Sequence, residues 1–425
     1  MYETNLEGNL HAPSPSIRVD LNTFPDTSRP GSTRLPTTIP NVEHLLDKVG
    51  IRPQYNEITK ELTLNRTDGS KATENEVTSL MVYNGLNSAT GLGYLPDIGV
   101  RNAYNPVREW IDAVPWDQQD RLNALYKTVT AAEEYPEDLK TILLYRWLLS
   151  ATAAAVIPGR FKTRGVLTFQ GPQGCGKTSW IGALVSDPLL REKVIRLDHQ
   201  LDAGNKDSII GAISCWIGEI GELESSLKRD IGKIKGFLTL DCDRLRRPYG
   251  RGEMEYPRRT VFGATVNDHH FLLDPTGNNR WLTIAVTKLN FQHGIDMQQV
   301  FAQLAVDVRK DVQWWLTHDE EHKLNAYNIG HRSVSVVRER ILEAFNLSGS
   351  VGAHHQSKTA IEVLIAAGIA HPNNVQCKEA GSVLREYLGA PKRIQGRDRW
   401  HVPTEQQAGY DFTRKPRTPP AGDVF

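Results

Sequence analysis

Three short apolar segments in the middle of the chain alternate with stretches of helical periodicity. They cover residues 165–170, 212–217 and 260–266, and each is followed by glycine or a polar residue. Apolar runs of this length with such boundaries are typical of strands buried in a parallel sheet. We therefore predict a doubly wound α/β core over residues 161–330, with a helix over residues 179–185 after the first strand.

The segments before this core differ in their capacity to fold. Residues 1–40 combine six prolines with Ser, Thr and Asn, a composition typical of a flexible arm. Residues 41–104 begin with a helical pattern and continue with strand-like alternation over 61–65, which predicts a small α+β module. Residues 105–160 predict a helical lead-in that includes the Leu- and Ala-rich segment 139–156.

The residues after the core predict a second, smaller unit. A helical stretch through residues 314–315 leads into it. Within residues 331–403, two helices over 357–368 and 379–388 precede a terminal hairpin, which is the order of elements in a winged-helix domain. Residues 404–425 contain three prolines and predict a disordered tail.

The composition is that of an ordinary soluble protein. Hydrophobic residues make up 39% of the chain, and 50 Lys and Arg balance 50 Asp and Glu, so net charge alone indicates no partner. The sequence has no run of about 18 apolar residues and no charged-then-apolar leader, so we expect a cytosolic protein without membrane association. The cysteines lack the short spacing of zinc and redox sites, which predicts a reduced compartment and no structural metal. They are Cys175, Cys215, Cys242 and Cys377.

A glycine-rich loop follows the first predicted strand. Its sequence, Gly171-Pro-Gln-Gly-Cys-Gly-Lys177-Thr178, fits the pattern G-x-x-x-x-G-K-T. In this pattern backbone N–H groups surround the phosphates of ATP, the lysine contacts the β- and γ-phosphates, and the threonine hydroxyl binds Mg²⁺. The predicted strand and helix around it favour this interpretation over a simple glycine-rich turn. The residues predicted to bind the nucleotide are Gly171, Pro172, Gln173, Gly174, Cys175, Gly176, Lys177, Thr178 and Ser179.

Two glutamates are candidates for the acid that completes the metal site. Glu219 follows the second predicted strand, and Glu222 lies three residues further on. An acid at the carboxyl end of a buried strand lies beside the phosphate loop in sheets of this kind. We select Glu219 as the Mg²⁺-linked acid and Glu222 as its partner or replacement in polarising water. Two solvated loop glutamates are the alternative.

Two further polar residues border the last predicted strands. Asn267 ends the third strand, where an amide can orient the attacking water or sense the γ-phosphate, although asparagine is also a common turn residue. Arg280 lies on a turn before a fourth strand and can act as a finger on the phosphates of a neighbouring subunit. A surface cation is the alternative for this arginine.

A basic segment separates the second and third strands. Residues 228–259 contain ten Lys or Arg against five Asp or Glu. Glycines that flank Arg251 suit the tip of a hairpin, and tyrosines offer stacking faces. Basic and aromatic groups in alternation favour binding of single-stranded nucleic acid, and a solvated, salt-bridged hairpin is the alternative. The residues predicted to contact DNA are Arg246, Arg247, Tyr249 and Arg251.

Taken in order, these motifs resemble the virulence-associated protein E family over about residues 105–290. The matching segments are 171–178, 216–223, 246–251, 256–258, 264–268 and 276–281. The ATPase domain of this family is similar to superfamily 3 helicases, which are encoded mostly by phages and mobile elements and form hexameric rings on DNA. Val266 and Asn279 depart from the family, which usually has a second threonine and a paired arginine at these positions.

The resemblance implies a role for each candidate residue. It implies that Lys177 and Thr178 bind phosphate and Mg²⁺ and that Glu219 is the Walker B acid. Asn267 corresponds to the sensor, and Arg280 corresponds to a finger that acts in trans. The implied fold is a P-loop NTPase core, similar to AAA+ proteins, with a helical lead-in and a small winged-helix-like domain.

The implied function is that of an ATP-driven replicative DNA helicase, which moves along single-stranded DNA as a ring. The segment 246–251 corresponds to the hairpin that faces DNA in the ring channel. The expected partners are ATP, Mg²⁺, single-stranded or forked DNA, further copies in a homo-hexamer, and other replication proteins, in the cytoplasm of a bacterial host. One alternative is a DNA-binding ATPase that recognises an origin or loads another helicase. A small-molecule P-loop kinase, the second alternative, would not require Asn267, Arg280 and a basic hairpin in this order.

Overall fold

The computed structural model of the protein describes most of the chain. The described residues are 17–27, 35–221, 223–245, 254–267, 278–328, 336–345, 347 and 354–404. The chain divides into two compact units, Met1–His331 and Arg332–Phe425. Each unit has a hydrophobic core of its own.

The first unit begins with a small module of helices and strands. Its elements are α1 (Ile39–Lys48), β1 (Ile51–Tyr55), β2 (Leu62–Arg66), α2 (Glu74–Tyr83) and α3 (Ser88–Arg101). Helix α2 starts at a capping box formed by Thr73 and Glu76, and β1 pairs antiparallel with β2. Part of the predicted arm packs on this module, because the apolar side chains of Val19 and Phe24 are buried in its core.

A mostly helical region connects this module to the central sheet. It comprises α4 (Pro106–Asp112), α5 (Leu122–Tyr126), β3 (Val129–Ala131) and α6 (Glu137–Val156). The sequence pattern predicts helix throughout, but β3 interrupts the helices because it pairs with a later strand. Helix α6 is long and apolar enough by composition to cross a membrane. However, 72% of its most apolar 18-residue segment is buried inside the protein. It therefore packs as a core helix of the first unit.

A six-stranded sheet forms the centre of the first unit. The elements after α6 are β4 (Val166–Gln170), α7 (Lys177–Gly182), α8 (Pro188–Val194), β5 (Ile195–His199), α9 (Lys206–Ile213), β6 (Ile217–Ile220), α10 (Leu223–Leu238), β7 (Cys242–Leu245), β8 (Met254–Pro257), β9 (Val261–Val266), β10 (Trp281–Leu289), α11 (Met297–Arg309) and α12 (His318–Asn328). The strand order is β3-β10-β4-β9-β6-β5, in which β3 is antiparallel to β10 and the other neighbours are parallel. The predicted α/β class is confirmed, and the strands predicted over 165–170 and 260–266 correspond to β4 and β9.

The second predicted strand lies later in the sequence than its apolar pattern indicates. A strand is predicted over residues 212–217, but Ala212 and Ile213 end helix α9, and β6 spans Ile217–Ile220. The apolar side chains of α9 are buried against the sheet as one face of a helix, which a short apolar run does not distinguish from a strand. Glu219 consequently lies inside β6 and not after it.

Two predicted helices also differ from the structure. The helix predicted over residues 179–185 begins earlier, at Lys177, because it follows Gly176 of the loop directly. It ends at Gly182. The helix predicted through residues 314–315 is wrong, since both tryptophans lie between α11 and α12. Their rings contact each other edge to face, with centroids 5.1 Å apart.

The second unit combines helices with a small antiparallel sheet. Among the described residues its elements are α13 (Val336–Ala344), β11 (His354–Lys358), α14 (Ala360–Ala366), α15 (Asn374–Leu388), β12 (Lys392–Ile394) and β13 (Arg397–Thr404). Strand β13 lies between β11 and β12. The two helices and the terminal hairpin predicted for this region are present. The first helix starts later than residue 357, because β11 precedes it and a capping box of Thr359 and Glu362 sets its start.

A buried lysine joins the N-terminal module to strand β8. Lys60 lies in the turn between β1 and β2 with a φ of 61°, and 3% of its surface is exposed. Its Nζ donates hydrogen bonds to the carbonyl oxygens of Glu57 and, at 2.7 Å, of Pro257. Burial, with a further contribution from nearby Arg259, lowers the pKa of Lys60 to about 7. A neutral amine has two N–H donors, which matches the two carbonyl acceptors.

This contact predicts a specific dependence of stability on pH. Because the pKa of Lys60 is lower in the folded chain than in the unfolded chain, the unfolded chain binds more protons between about pH 7 and pH 10. The contribution of this group to the free energy of unfolding therefore rises with pH in that window. We expect the stability of wild type relative to Lys60→Met to increase by on the order of 2 kcal/mol from pH 7 to pH 9 in urea unfolding.

Lys71→Met provides the matched control, because Lys71 is an exposed lysine of the same module. Its stability relative to wild type should stay constant over the same pH range. An equal pH dependence in both variants would contradict a neutral amine at Lys60.

Candidate functional site

The glycine-rich loop connects β4 to α7 and packs against the backbone of β10. The Cys175 carbonyl accepts a hydrogen bond of 2.8 Å from the Leu289 N–H. A Cβ atom at Gly171 would lie 2.2 Å from the Val286 carbonyl oxygen. At Gly176, where φ is +98°, a Cβ atom would lie 2.6 Å from the Leu289 carbonyl oxygen. Glycine is therefore required at both ends of the loop, by close approach at Gly171 and also by conformation at Gly176.

The lysine of the loop connects it to the end of a neighbouring strand. Lys177 is buried, with 8% of its surface exposed, and its Nζ donates to the carbonyl oxygens of Gly171 at 2.6 Å and Pro172 at 2.9 Å. It also donates to Oδ1 of Asn267 at 2.9 Å. The structure thus places the predicted phosphate-binding lysine in direct contact with the predicted sensor.

Glu219 is a fully buried carboxylate in β6, and three groups donate hydrogen bonds to it. Its Oε1 accepts from the hydroxyls of Thr178 at 2.6 Å and Thr265 at 2.9 Å. Its Oε2 accepts from the Asp198 backbone N–H at 3.0 Å. Donors on both oxygens offset the cost of burying the carboxylate and fix its orientation.

The arrangement follows from the order of the sheet. Strands β4, β9, β6 and β5 are parallel neighbours, so their carboxyl ends meet at one edge. This edge brings together Lys177, Thr178, Glu219 and Asn267, which the sequence predicted as site residues. The second predicted acid, Glu222, lies outside the described residues.

Sequence reasoning missed two residues that hold the Glu219 carboxylate. Thr265 is a polar residue in the otherwise apolar strand β9, and this exception to the pattern is the signal that could have identified it. Asp198 has a positive φ of 52°, uncommon for a residue with a side chain, and contributes a backbone N–H. A Cβ atom at Gly221 would lie 2.0 Å from Oδ1 of Asp198, so the glycine after β6 leaves space for this carboxylate.

Arg280 lies at the other edge of the sheet. It directly precedes β10, whose first residue, Trp281, pairs with Val166 at the start of β4. The glycine-rich loop follows Gln170 at the end of β4. Arg280 is therefore separated from this loop by the length of β4, about 13 Å at 3.3 Å per residue. Within one chain, Arg280 is therefore not part of the cluster around Lys177.

The basic segment is bordered by an antiparallel pair of strands. Leu245 at the end of β7 pairs with Met254 at the start of β8, as expected for the base of a hairpin. The four residues predicted to contact DNA lie outside the described residues: Arg246, Arg247, Tyr249 and Arg251. Two other arginines of the segment, Arg258 and Arg259, are buried.

These buried arginines have structural contacts, so the basic excess of the segment overstates the charge available to a ligand. Arg258 is fully buried and forms a bidentate ion pair with Asp243, with its Nη2 2.7 Å from Oδ1 and its Nε 2.9 Å from Oδ2. Its guanidinium lies 4.3 Å from the ring centroid of Phe237. Arg259 donates to the Ile157 carbonyl at 3.0 Å.

The fold and site define an α/β protein in which a glycine-rich loop, a lysine, a threonine, a glutamate and an asparagine converge at the carboxyl edge of the central sheet. A family model described as the virulence-associated protein E-like domain matches residues 111–333. The match covers more than half of the 425 residues, and the chain belongs to the virulence-associated protein E-like family.

Solved structures of the NrS-1 C-terminal region align with the chain at low similarity. One apo structure has a TM-score of 0.42 and 14% identity, over 85% of this chain and 98% of that chain. An A-form apo structure of the same region has a TM-score of 0.38 with the same identity and coverage. No curated protein matches the sequence. At these TM-scores the alignments establish neither the fold nor the activity of this chain.

Proposed function

We propose that this chain is a P-loop ATPase with an AAA+-like core and that ATP hydrolysis drives its movement on DNA. The observation that carries this proposal is the direct contact of the loop residues Lys177 and Thr178 with Asn267 and Glu219, which come from two neighbouring parallel strands. A loop lysine, a metal-binding hydroxyl, an acid and a polar amide are the groups that hydrolysis of a nucleoside triphosphate requires.

The donor set fits a nucleotide with Mg²⁺. The Thr178 hydroxyl and the Glu219 carboxylate, 2.6 Å apart, offer the oxygen ligands that Mg²⁺ prefers. The bound cation would neutralise charge on the phosphates. Lys177 would bind the β- and γ-phosphates, and Glu219, with Glu222 as its proposed partner, would orient and polarise the attacking water. Asn267 would hold that water or sense the γ-phosphate.

The proposal extends to a ring of identical chains, which we take to be a hexamer. Arg280 lies at the edge of the sheet away from the Lys177 loop, a position that suits a finger directed at the site of a neighbouring chain. In such a ring the segment 246–251, carried on the β7–β8 base, would contact single-stranded DNA in the channel. The proposed function is therefore that of a replicative helicase of a phage or mobile element.

The second unit supports a further DNA contact in this proposal. Its helices α14 and α15, followed by the antiparallel strands β12 and β13, have the order of elements of a winged-helix domain. Winged-helix domains commonly bind DNA, so we assign this unit to DNA binding and not to the ATPase site.

Substitutions of the loop lysine and the acid test this function. Lys177→Ala should reduce ATP hydrolysis to background, because the charge that faces the phosphates is lost. Glu219→Gln should still bind ATP but hydrolyse it slowly, since an amide does not supply the charge of a carboxylate to metal and water. The control Lys193→Ala changes an exposed lysine on α8 and should retain wild-type turnover.

Two outcomes would change this conclusion. Turnover near wild type in Lys177→Ala would refute the ATPase, and a far greater loss in Glu222→Gln than in Glu219→Gln would reverse the order of the two acids. Strand displacement of a forked DNA, measured with the wild type, separates a helicase from an ATPase that loads another helicase. Hydrolysis without displacement would support the loader.

Thr265 is expected to act as a positioning residue for Glu219. Thr265→Val keeps the shape of the side chain but removes the hydrogen bond of 2.9 Å to Oε1. Loss of a hydrogen bond to a charged group should lower kcat by about 10-fold or more. The affinity for ATP should stay unchanged, and Thr265→Ser should restore most of the rate. A parallel loss in Thr265→Ser, or a change confined to KM, would contradict this role.

Arg280 should be required between chains and not within one. Arg280→Ala alone should be nearly inactive, since a finger contributes roughly 10³–10⁵ in rate in GTPases. When Arg280→Ala chains are mixed with Lys177→Ala chains, some interfaces pair an intact finger with an intact loop, so part of the ATPase activity should return. Mixed oligomers without any recovery would exclude a finger that acts in trans.

A further inference from the structure

Strands β12 and β13 of the second unit form a β-hairpin with a short turn. We define it as residues 392–399, in which β12 pairs with the first residues of β13. Ile394 pairs with Arg397, so only Gln395 and Gly396 form the turn, and both have a positive φ, 51° and 77°. Two-residue turns of this kind match the twist of the strands and give a tight, well-ordered hairpin.

The hairpin carries an excess of positive charge. Lys392, Arg393 and Arg397 are exposed and form no ion pair with any residue in the described part of the chain. Two carboxylates of the second unit, one of them in the hairpin, lie beside other arginines. Asp398 lies 3.7 Å from Arg385 of α15, and Glu362 lies 3.3 Å from Arg399. The hairpin holds four Lys or Arg and one Asp, so it carries an excess of positive charge, with Arg393 paired across from Asp398.

The hairpin also lacks the groups that bind unstacked bases. Residues 392–399 contain no aromatic side chain. The adjacent Trp400 is 4% exposed, and its Nε1 donates to the Gly389 carbonyl at 3.1 Å, so it belongs to the core of the unit. Proteins that bind single strands combine positive charge with aromatic rings on which the bases stack, whereas contact with a duplex backbone requires charge alone.

We propose that this hairpin binds the phosphate backbone of double-stranded DNA through Lys392, Arg393 and Arg397. It would be a second DNA contact, distinct in chemistry from the single-strand contact proposed for the segment 246–251. This inference rests on the DNA-binding function proposed above, but the contact itself needs no ATP hydrolysis. In a replicative setting it would hold the duplex while the ring acts on one strand.

The test compares full-length chains on a duplex and on a single strand of the same sequence, by fluorescence anisotropy over a salt series without nucleotide. The triple variant Lys392→Ala, Arg393→Ala, Arg397→Ala should bind the duplex more weakly. Its plot of log affinity against log salt should flatten by about 2.7, at roughly 0.9 per phosphate on B-DNA. Its affinity for the single strand should fall less than its affinity for the duplex.

Two matched variants make the result specific. The variant Lys392→Arg, Arg393→Lys, Arg397→Lys keeps the three charges and should retain the wild-type salt slope on the duplex. The variant Lys48→Ala, Arg52→Ala, Lys71→Ala removes three exposed cations from the N-terminal module and should bind both DNAs like wild type. Thermal unfolding of each variant verifies that the fold persists.

Several outcomes would overturn the inference. An unchanged duplex affinity and salt slope in the triple alanine variant would exclude the contact, and an equal loss on single strand and duplex would exclude its preference for the duplex. Repeating the duplex measurement in the Lys177→Ala background separates the two proposals. Duplex binding that depends on the hairpin should persist there even if no ATPase is found.

Discussion

A carboxylate buried inside a β-sheet has to be satisfied by hydrogen bonds, and in this protein that requirement connects the elements of the site. Glu219 draws a hydroxyl from α7, a hydroxyl from β9 and a backbone N–H from β5 to its two oxygens. Loss of one donor leaves part of the buried charge unsatisfied, which costs more than the bond itself contributes. The alignment of β5, β6 and β9 and the position at which α7 starts therefore all contribute to the hydrogen bonds of one side chain, Glu219.

The two edges of the sheet have different chemistry. The carboxyl edge gathers Lys177, Glu219 and Asn267, whereas Arg280 lies at the amino edge, one strand length away. A parallel sheet forces this separation, because residues before a strand and residues after its neighbour cannot meet. A site that uses both edges has to be assembled from two chains, so oligomerisation and chemistry would be linked.

The glycine-rich loop and the strand before it can be predicted because their residue types form a local pattern in the sequence. An apolar run that ends in a glycine-rich motif marks β4 and the loop, and the apolar run over residues 260–266 places Asn267 at the end of β9. The apolar stretch before β6 was misassigned, since helix and strand are equivalent in a short apolar run. Thr265 and Asp198 escaped prediction because their contacts with Glu219 arise only when three strands are aligned side by side. Arg258 contributes to the predicted basic excess of the segment because charge patterns alone do not reveal its buried ion pair with Asp243.

The N-terminal module supplies a carboxylate that faces two arginines elsewhere in the first unit, and this contact limits where the chain can be shortened. Glu57 lies 3.6 Å from Arg108 and 3.7 Å from Arg259, which is 6% exposed at its side chain. A truncated form that starts after residue 104 would lack this carboxylate, so Arg108 and Arg259 would lose the anion that they share. A shorter chain that retains the sheet should therefore also retain the N-terminal module, because the module supplies the carboxylate for both arginines.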